Sequence, residues 1–132
     1  MTHTNLHRID PDGWPRASTM VRAVVSGGVA YLSGVVPTGR DGQLIGADSP
    51  ELQAKACLDC LEEILKAAGS SLDDVLRYTC YATTADAASA YIAERSRRMT
   101  SRPAATTVLV SALLIPGAML EVEAIARVQT PS

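Results

Sequence analysis

Arg102-Pro103-Ala104-Ala105-Thr106-Thr107-Val108-Leu109-Val110, then Ile115-Pro116-Gly117, then Leu120-Glu121-Val122-Glu123-Ala124-Ile125-Ala126 is the stretch on which the reading of this chain turns. Pro103 has no amide hydrogen to donate and ends any helix that approaches it from the N-terminal side. Beyond it, Thr106 to Leu113 is rich in β-branched and apolar residues, and Leu120 to Val128 alternates in the two-residue period of a strand. Pro116-Gly117 supplies the reversal between them. The C-terminal quarter is therefore expected to be a pair of strands.

Upstream of Pro103, a helix is predicted from about Thr83 or Thr84 through Tyr91, Ile92 and Arg95 to about Met99, with Asp86 in its first turn. Leu76 to Ala82 alternates as a strand, with Tyr78, Cys80 and Ala82 on one side and Arg77, Thr79 and Tyr81 on the other. An earlier helix has marked ends: Asp48 or Ser49 as cap, Pro50 in the first turn, and Gly69 as a left-handed stop. Leu58, Leu61, Ile64, Leu65 and Ala68 recur at three and four residues and form its apolar face. At the N-terminal side, Met20 to Val25 and Val29 to Val36 flank the turn Ser26-Gly27-Gly28 as a hairpin. After Asp41-Gly42, Leu44 and Ile45 are expected to add a brief third strand.

The resulting order, βββαβαββ, predicts an α+β fold in which a six-stranded mixed sheet carries two helices on one face. The other face then needs cover, which predicts self-association. At 132 residues the chain is read as one domain, 1–132, with 1–16 as an N-terminal extension, without internal repeats or linkers.

A net charge of −2 gives no general attraction for nucleic acid or an anionic membrane, which leaves small molecules and protein partners. The longest apolar runs fall short of a membrane span, and the polar Met1 to Asp12 start lacks a signal-peptide core, so a cytoplasmic protein is expected. Cys57, Cys60 and Cys80 are odd in number, fitting a reducing compartment. Cys57 and Cys60 have redox-motif spacing but fall inside a helical pattern, which favours packing over reactivity. His3 and His7 are spaced like metal ligands without a third ligand nearby, so no metal and no cofactor are expected. Arg95, Arg97 and Arg98 form the one basic cluster and read as a solvated helix face, since no aromatic platform accompanies them.

Three segments resemble the RidA/YjgF family. Tyr31-Leu32-Ser33-Gly34-Val35-Val36-Pro37 is similar to its strand ending in Ser-Gly-Gln-Ile-Pro. Gln53 to Gly69, with the turn Ser70 to Val75, is similar to its first helix, and Glu121 to Ala126 is the most specific string. The resemblance covers roughly Met20 to Val128. It implies a RidA/chorismate mutase-like fold, a homotrimer with ligand clefts between neighbouring subunits, and hydrolysis of reactive enamines and imines to 2-keto acids.

Carried over residue by residue, the resemblance assigns Glu121 to orienting or activating water and Ser33, beside Gly34, to lining the cleft. The family's carboxylate-gripping arginine falls on Ala105, an aromatic tyrosine falls near Met20, and an asparagine falls on Ala88. Thr106 and Pro116 complete the candidate substrate-binding positions. A guanidinium meets a carboxylate with two donors, each charge-assisted bond contributing roughly 1.5–3 kcal/mol. With alanine there instead, an α-imino acid is expected to lose about two decades of productive binding at ~1.4 kcal/mol per decade.

Each position also has a plainer reading. Glu121 can be a strand carboxylate bonded to backbone, Ser33 can simply end a strand, and Arg22, on the strand face of Met20, can be a solvated edge residue rather than a replacement cation. Arg102 precedes Pro103 and is expected to point away, and Trp14-Pro15 is read as a surface anchor rather than a flap over a neighbouring cleft. Three functions stay open: a RidA-like hydrolase of enamines, imines or related carbonyl compounds that lack the usual carboxylate; a non-catalytic trimer binding a metabolite or protein; and a 2-imino acid deaminase using a replacement arginine.

Overall fold

A computed structural model describes residues 6–129. The strands are β1 (His7–Ile9), β2 (Ala23–Ser26), β3 (Val29–Leu32), β4 (Val75–Ala82), β5 (Ala104–Leu109) and β6 (Leu120–Arg127). The helices are α1 (Pro50–Ala67) and α2 (Ala85–Arg98), and a single 3₁₀ turn, Leu72–Asp74, precedes β4. The strands form one six-stranded sheet in the order β1-β2-β3-β6-β4-β5. All neighbours are antiparallel except β4 and β5, which run parallel because α2 carries the chain back between them.

The order βββαβαββ holds, with the expected hairpin present as β2 and β3, but the remaining strand of the first three is not the expected one. Leu44 forms only an isolated bridge with Thr38, and the strand predicted at Leu44 and Ile45 is absent from the sheet. His7–Ile9, read as part of an extension, is the edge strand and pairs Arg8 with Val24. Three residues are too few to display a side-chain period, so backbone pairing with β2 defines this strand. Ser33 and Gly34 interrupt the predicted Val29 to Val36 strand. Val35 resumes pairing, exchanging both backbone bonds with Val122. β5 starts earlier and ends earlier than the predicted Thr106 to Leu113.

The helix ends follow local rules. Ser49 caps α1 by accepting from the Leu52 amide at 3.2 Å, and Thr84 caps α2 by accepting from Ala87 at 3.1 Å. Gly69, at φ +82°, closes α1 as the amides of Gly69 and Ser70 return to Lys66 and Leu65. Leu58, Leu61, Ile64 and Leu65 are fully buried against the alternate strand residues Tyr78, Cys80, Leu120, Val122, Ala124 and Ala126. Val122 thus belongs to the helix-covered face. Val108 and Ile125 lie on the open face, where Tyr31 is half exposed.

Gln53, wholly buried in α1, joins three segments. Its Nε2 donates to the carbonyls of Gly46 (3.2 Å) and Gly117 (3.0 Å), and its Oε1 accepts from the Met119 amide at 2.7 Å. The entry into β6 is thereby tied to the helix, two residues before Glu121.

The three thiols are free and packed. Burial raises Cys57 well above an ordinary thiol, Cys60 to about 11 and Cys80 to about 12, so all three are neutral and unreactive at neutral pH. No helix among the described residues is long and apolar enough to cross a membrane.

Candidate functional site

Residues paired across a sheet project from the same face, and this assigns each candidate to a side. On β6, Glu121 pairs with Tyr81 and Glu123 with Thr79, so all four side chains occupy the open face. The Tyr81 hydroxyl donates to Glu123 Oε1 at 2.6 Å. Glu121 lies instead against Gly34: a β-carbon built there would collide with its carboxylate and stand 3.1 Å from Cγ and Cδ. The glycine is required by this approach of backbone to side chain rather than by its own dihedral angles. Burial first, then the charge of Glu123, raises the Glu121 carboxyl above the ordinary range, and no hydrogen bond pulls it back down.

Gly34→Ala should therefore displace the Glu121 side chain. We expect a lowered melting temperature, checked on the purified variant. An unchanged melting temperature would mean that the carboxylate moves to another rotamer without cost.

Ser33 is tied into the framework. Its hydroxyl donates to the Val21 carbonyl at 2.7 Å and its amide donates to Arg22, leaving the oxygen lone pairs available as acceptors. Ser33 and Met20 share a groove of about 510 Å³ with Val24, Arg8 and Arg16. Arg8 reaches this groove from β1, on the open face shared by Val24 and Tyr31. Arg16 is largely exposed and pairs with Asp10 at 3.7 Å.

Arg22, read as either a solvated edge residue or a replacement cation, is directed elsewhere. Its guanidinium stacks on Trp14 at 5.2 Å and lines a separate cavity beside α1. Strand alternation failed here because Arg22 precedes β2, where the chain is held by the Arg22 amide donating to Ile9 and Asp10. Arg102 is exposed.

The remaining positions sit apart from Glu121. Ala105 pairs with the buried Tyr78, and so faces the helix side of the edge strand β5. Ala88 lies half-buried on α2, packed on that same side. Two strand spacings, roughly 10 Å, and the thickness of the sheet separate Ala105 from Glu121 within one protomer. Thr106 is on the open face and accepts from Arg77 Nη2 at 3.1 Å, which puts a second guanidinium on that face. Pro116 is exposed on the connection preceding Gly117.

Arg8 and Arg77 were not singled out in the sequence. Arg77 carried a usable signal, since it alternates with Thr79 and Tyr81 on β4. Arg8 carried none, because only pairing with β2 defines its strand.

The basic cluster on α2 is a solvated face at Arg97 alone; Arg95 and Arg98 are partly buried. Arg98 bonds Asp59 (2.8 Å), Glu62 (2.9 Å) and Glu94 (3.4 Å). Arg97 pairs with Glu94, and Arg95 donates to the Tyr91 hydroxyl at 3.1 Å while lying over the rings of Tyr78 and Tyr91. Among the described residues no three His, Cys, Asp or Glu side chains converge to hold a metal ion. His3 lies outside the described residues and His7 is exposed on β1.

The family described as Endoribonuclease L-PSP matches residues 15–128. Among solved structures, the conserved Rid family protein YyfA from Yersinia pestis is 30% identical, with a TM-score of 0.85, covering 93% of this chain and 99% of the other. A Thermotoga maritima protein is 31% identical at a TM-score of 0.84, covering 94% and 98%. RidA from the Antarctic bacterium Psychrobacter is 26% identical at 0.82, covering 92% and 99%. The sheet order, the helix pair and a match along nearly the whole length agree: the chain belongs to the RidA/YjgF family, the family described as Endoribonuclease L-PSP.

Proposed function

We propose that this protein hydrolyses an enamine, an imine or a related small carbonyl compound without the carboxylate that RidA substrates carry, in a cleft between subunits. The observation that carries this reading is the Glu121 carboxyl, raised by burial and by Glu123 and seated against Gly34. A carboxyl with a raised pKa can take a proton from water as the oxygen attacks the imine carbon, then return it to the departing nitrogen. The products are a carbonyl compound and ammonia or an amine. An enamine enters the same route after protonation at carbon. Ser33, whose oxygen retains acceptor capacity, would hold a ligand N–H.

Two arrangements support assembly of more than one copy, for which the family resemblance implies three. Ala88 and Ala105 stand on the side of the sheet opposite Glu121, so a site using both sets requires a second protomer. The open face carries large apolar side chains left exposed on two separate strands, Tyr31 on β3 and Val108 on β5. Light scattering after gel filtration should give three times the chain mass, and Tyr31→Glu should shift it toward one. A monomer at micromolar concentration would remove the proposed cleft.

The direct test is ammonia release from a panel of imines and enamines, generated in place, with and without a carboxylate. Turnover of neutral members and weak turnover of 2-aminoacrylate is expected. The reverse order would favour imino-acid deamination with a replacement arginine. Arg8, in the groove of Ser33 and Met20, is the cation that favours this second reading. Arg8→Ala would then suppress the reaction.

A further inference from the structure

A second cavity, of about 640 Å³, lies on the opposite side of the sheet from Glu121, between α1, the connection from β3 to α1, and the arm carrying Trp14. Its volume is that of a small-molecule site. Its walls are largely apolar. Ile45 and Leu52 line it while 40% and 53% exposed, so their apolar surface is open to a ligand.

The charges around it are matched in all but one case. Glu63 receives the Trp14 indole N–H and the Arg40 guanidinium. Asp59 receives Lys55 at 2.9 Å and Arg98 at 2.8 Å. Cys60, pushed up to about 11 by burial, is neutral. Arg22 has no carboxylate partner among the described residues.

The unsatisfied part of Arg22 is specific. Nε is buried without a hydrogen-bond partner, and Nη2 reaches the Pro15 carbonyl only at 3.4 Å, a weak bond. Nε and Nη2 form the edge of a guanidinium that meets both oxygens of one carboxylate. A carbonyl at the limit of bonding distance is readily displaced by a carboxylate, which offers a second oxygen and a full charge.

We propose that this cavity binds an amphiphilic monocarboxylate, its head on the Nε–Nη2 edge of Arg22 and its apolar body between Ile45 and Leu52. The site is independent of Glu121 and of the reaction proposed for it. Binding requires the Trp14-Pro15 segment to shift, since that segment holds the edge from above.

Trp14 is the sole tryptophan, so its emission reports directly on this cavity. Titration of the full-length protein with octanoate, below its micelle concentration, should give a saturable change in fluorescence. 1-Octanol, of equal chain length and no charge, should bind at least tenfold more weakly. Arg22→Gln should weaken octanoate at least tenfold, and Glu121→Gln should titrate as the parent does. Should Arg22→Gln fail to fold, Ile45→Glu, at an exposed wall position, should also abolish the octanoate response. Equal responses to octanoate and octanol, or undiminished octanoate binding in either cavity variant, would overturn the proposal. Loss of the response in Glu121→Gln would overturn it too, since that places the ligand in the other site.

Discussion

Glu121→Gln is expected to lower kcat on every accepted substrate by about 10²- to 10⁴-fold, the usual contribution of a positioned general base. Glutamine keeps the shape against Gly34 and removes only the ability to exchange a proton. Stability should not fall. A carboxyl whose pKa is raised on folding is held protonated more tightly by the folded protein. Its ionisation therefore costs stability as pH rises from the unfolded value through the raised folded one. At neutral pH the glutamine variant should melt at the parent temperature or above it, and calorimetry checks this beside the rate.

The pH profile supplies a second readout of the same group. The base form is the ionised one, so activity should rise with pH through an inflection above the ordinary glutamate value. Glu123→Gln removes the second cause of that shift and should move the inflection to lower pH. An inflection unmoved in Glu123→Gln, or full turnover in Glu121→Gln, would assign Glu121 a structural role.

Gln53→Ala is expected to have the largest effect on stability. It strips the Met119 amide and the Gly117 carbonyl of their partner, while the Gly46 carbonyl keeps the Ser49 amide, and leaves a void in a fully enclosed position. An unpartnered buried polar group costs about 1–3 kcal/mol, so the two together cost on the order of 2–6 kcal/mol. Against a typical domain stability of about 5–15 kcal/mol, this brings the protein near unfolding at ambient temperature. Urea denaturation should show a much lower midpoint with an unchanged slope. A loss under about 1 kcal/mol would mean that water replaces the side chain at both groups. Because Met119 leads into β6, surviving folded protein should also lose activity through a misplaced Glu121.

Much of the architecture was legible because it is encoded locally. Ser49, Pro50 and Gly69 mark α1 by capping chemistry, and its leucine face repeats at the helical period. β4 and β6 display the two-residue period of half-buried strands. His7–Ile9 and the Leu44 segment were misread for one reason. Short strands are defined by partners distant in the chain, and their side chains carry too little pattern to reveal them. Gln53 gave no signal of its role either, since a glutamine inside a helix looks solvent-facing until the loops that need its amide are in place.

The candidate site divides in the same way. The absence of a guanidinium at position 105 is a matter of covalent sequence, and so is the presence of a glutamate at 121 and a glycine at 34. That Glu121 presses on Gly34 is set by the pairing of Val35 with Val122. That Arg8 shares a groove with Ser33 while Arg22 turns away to Trp14 depends on sheet edge and loop path. Helix and strand periods come from the backbone geometry of neighbouring residues, which a sequence displays. The company a charge keeps comes from register and crossovers between residues far apart, and only the folded chain determines it.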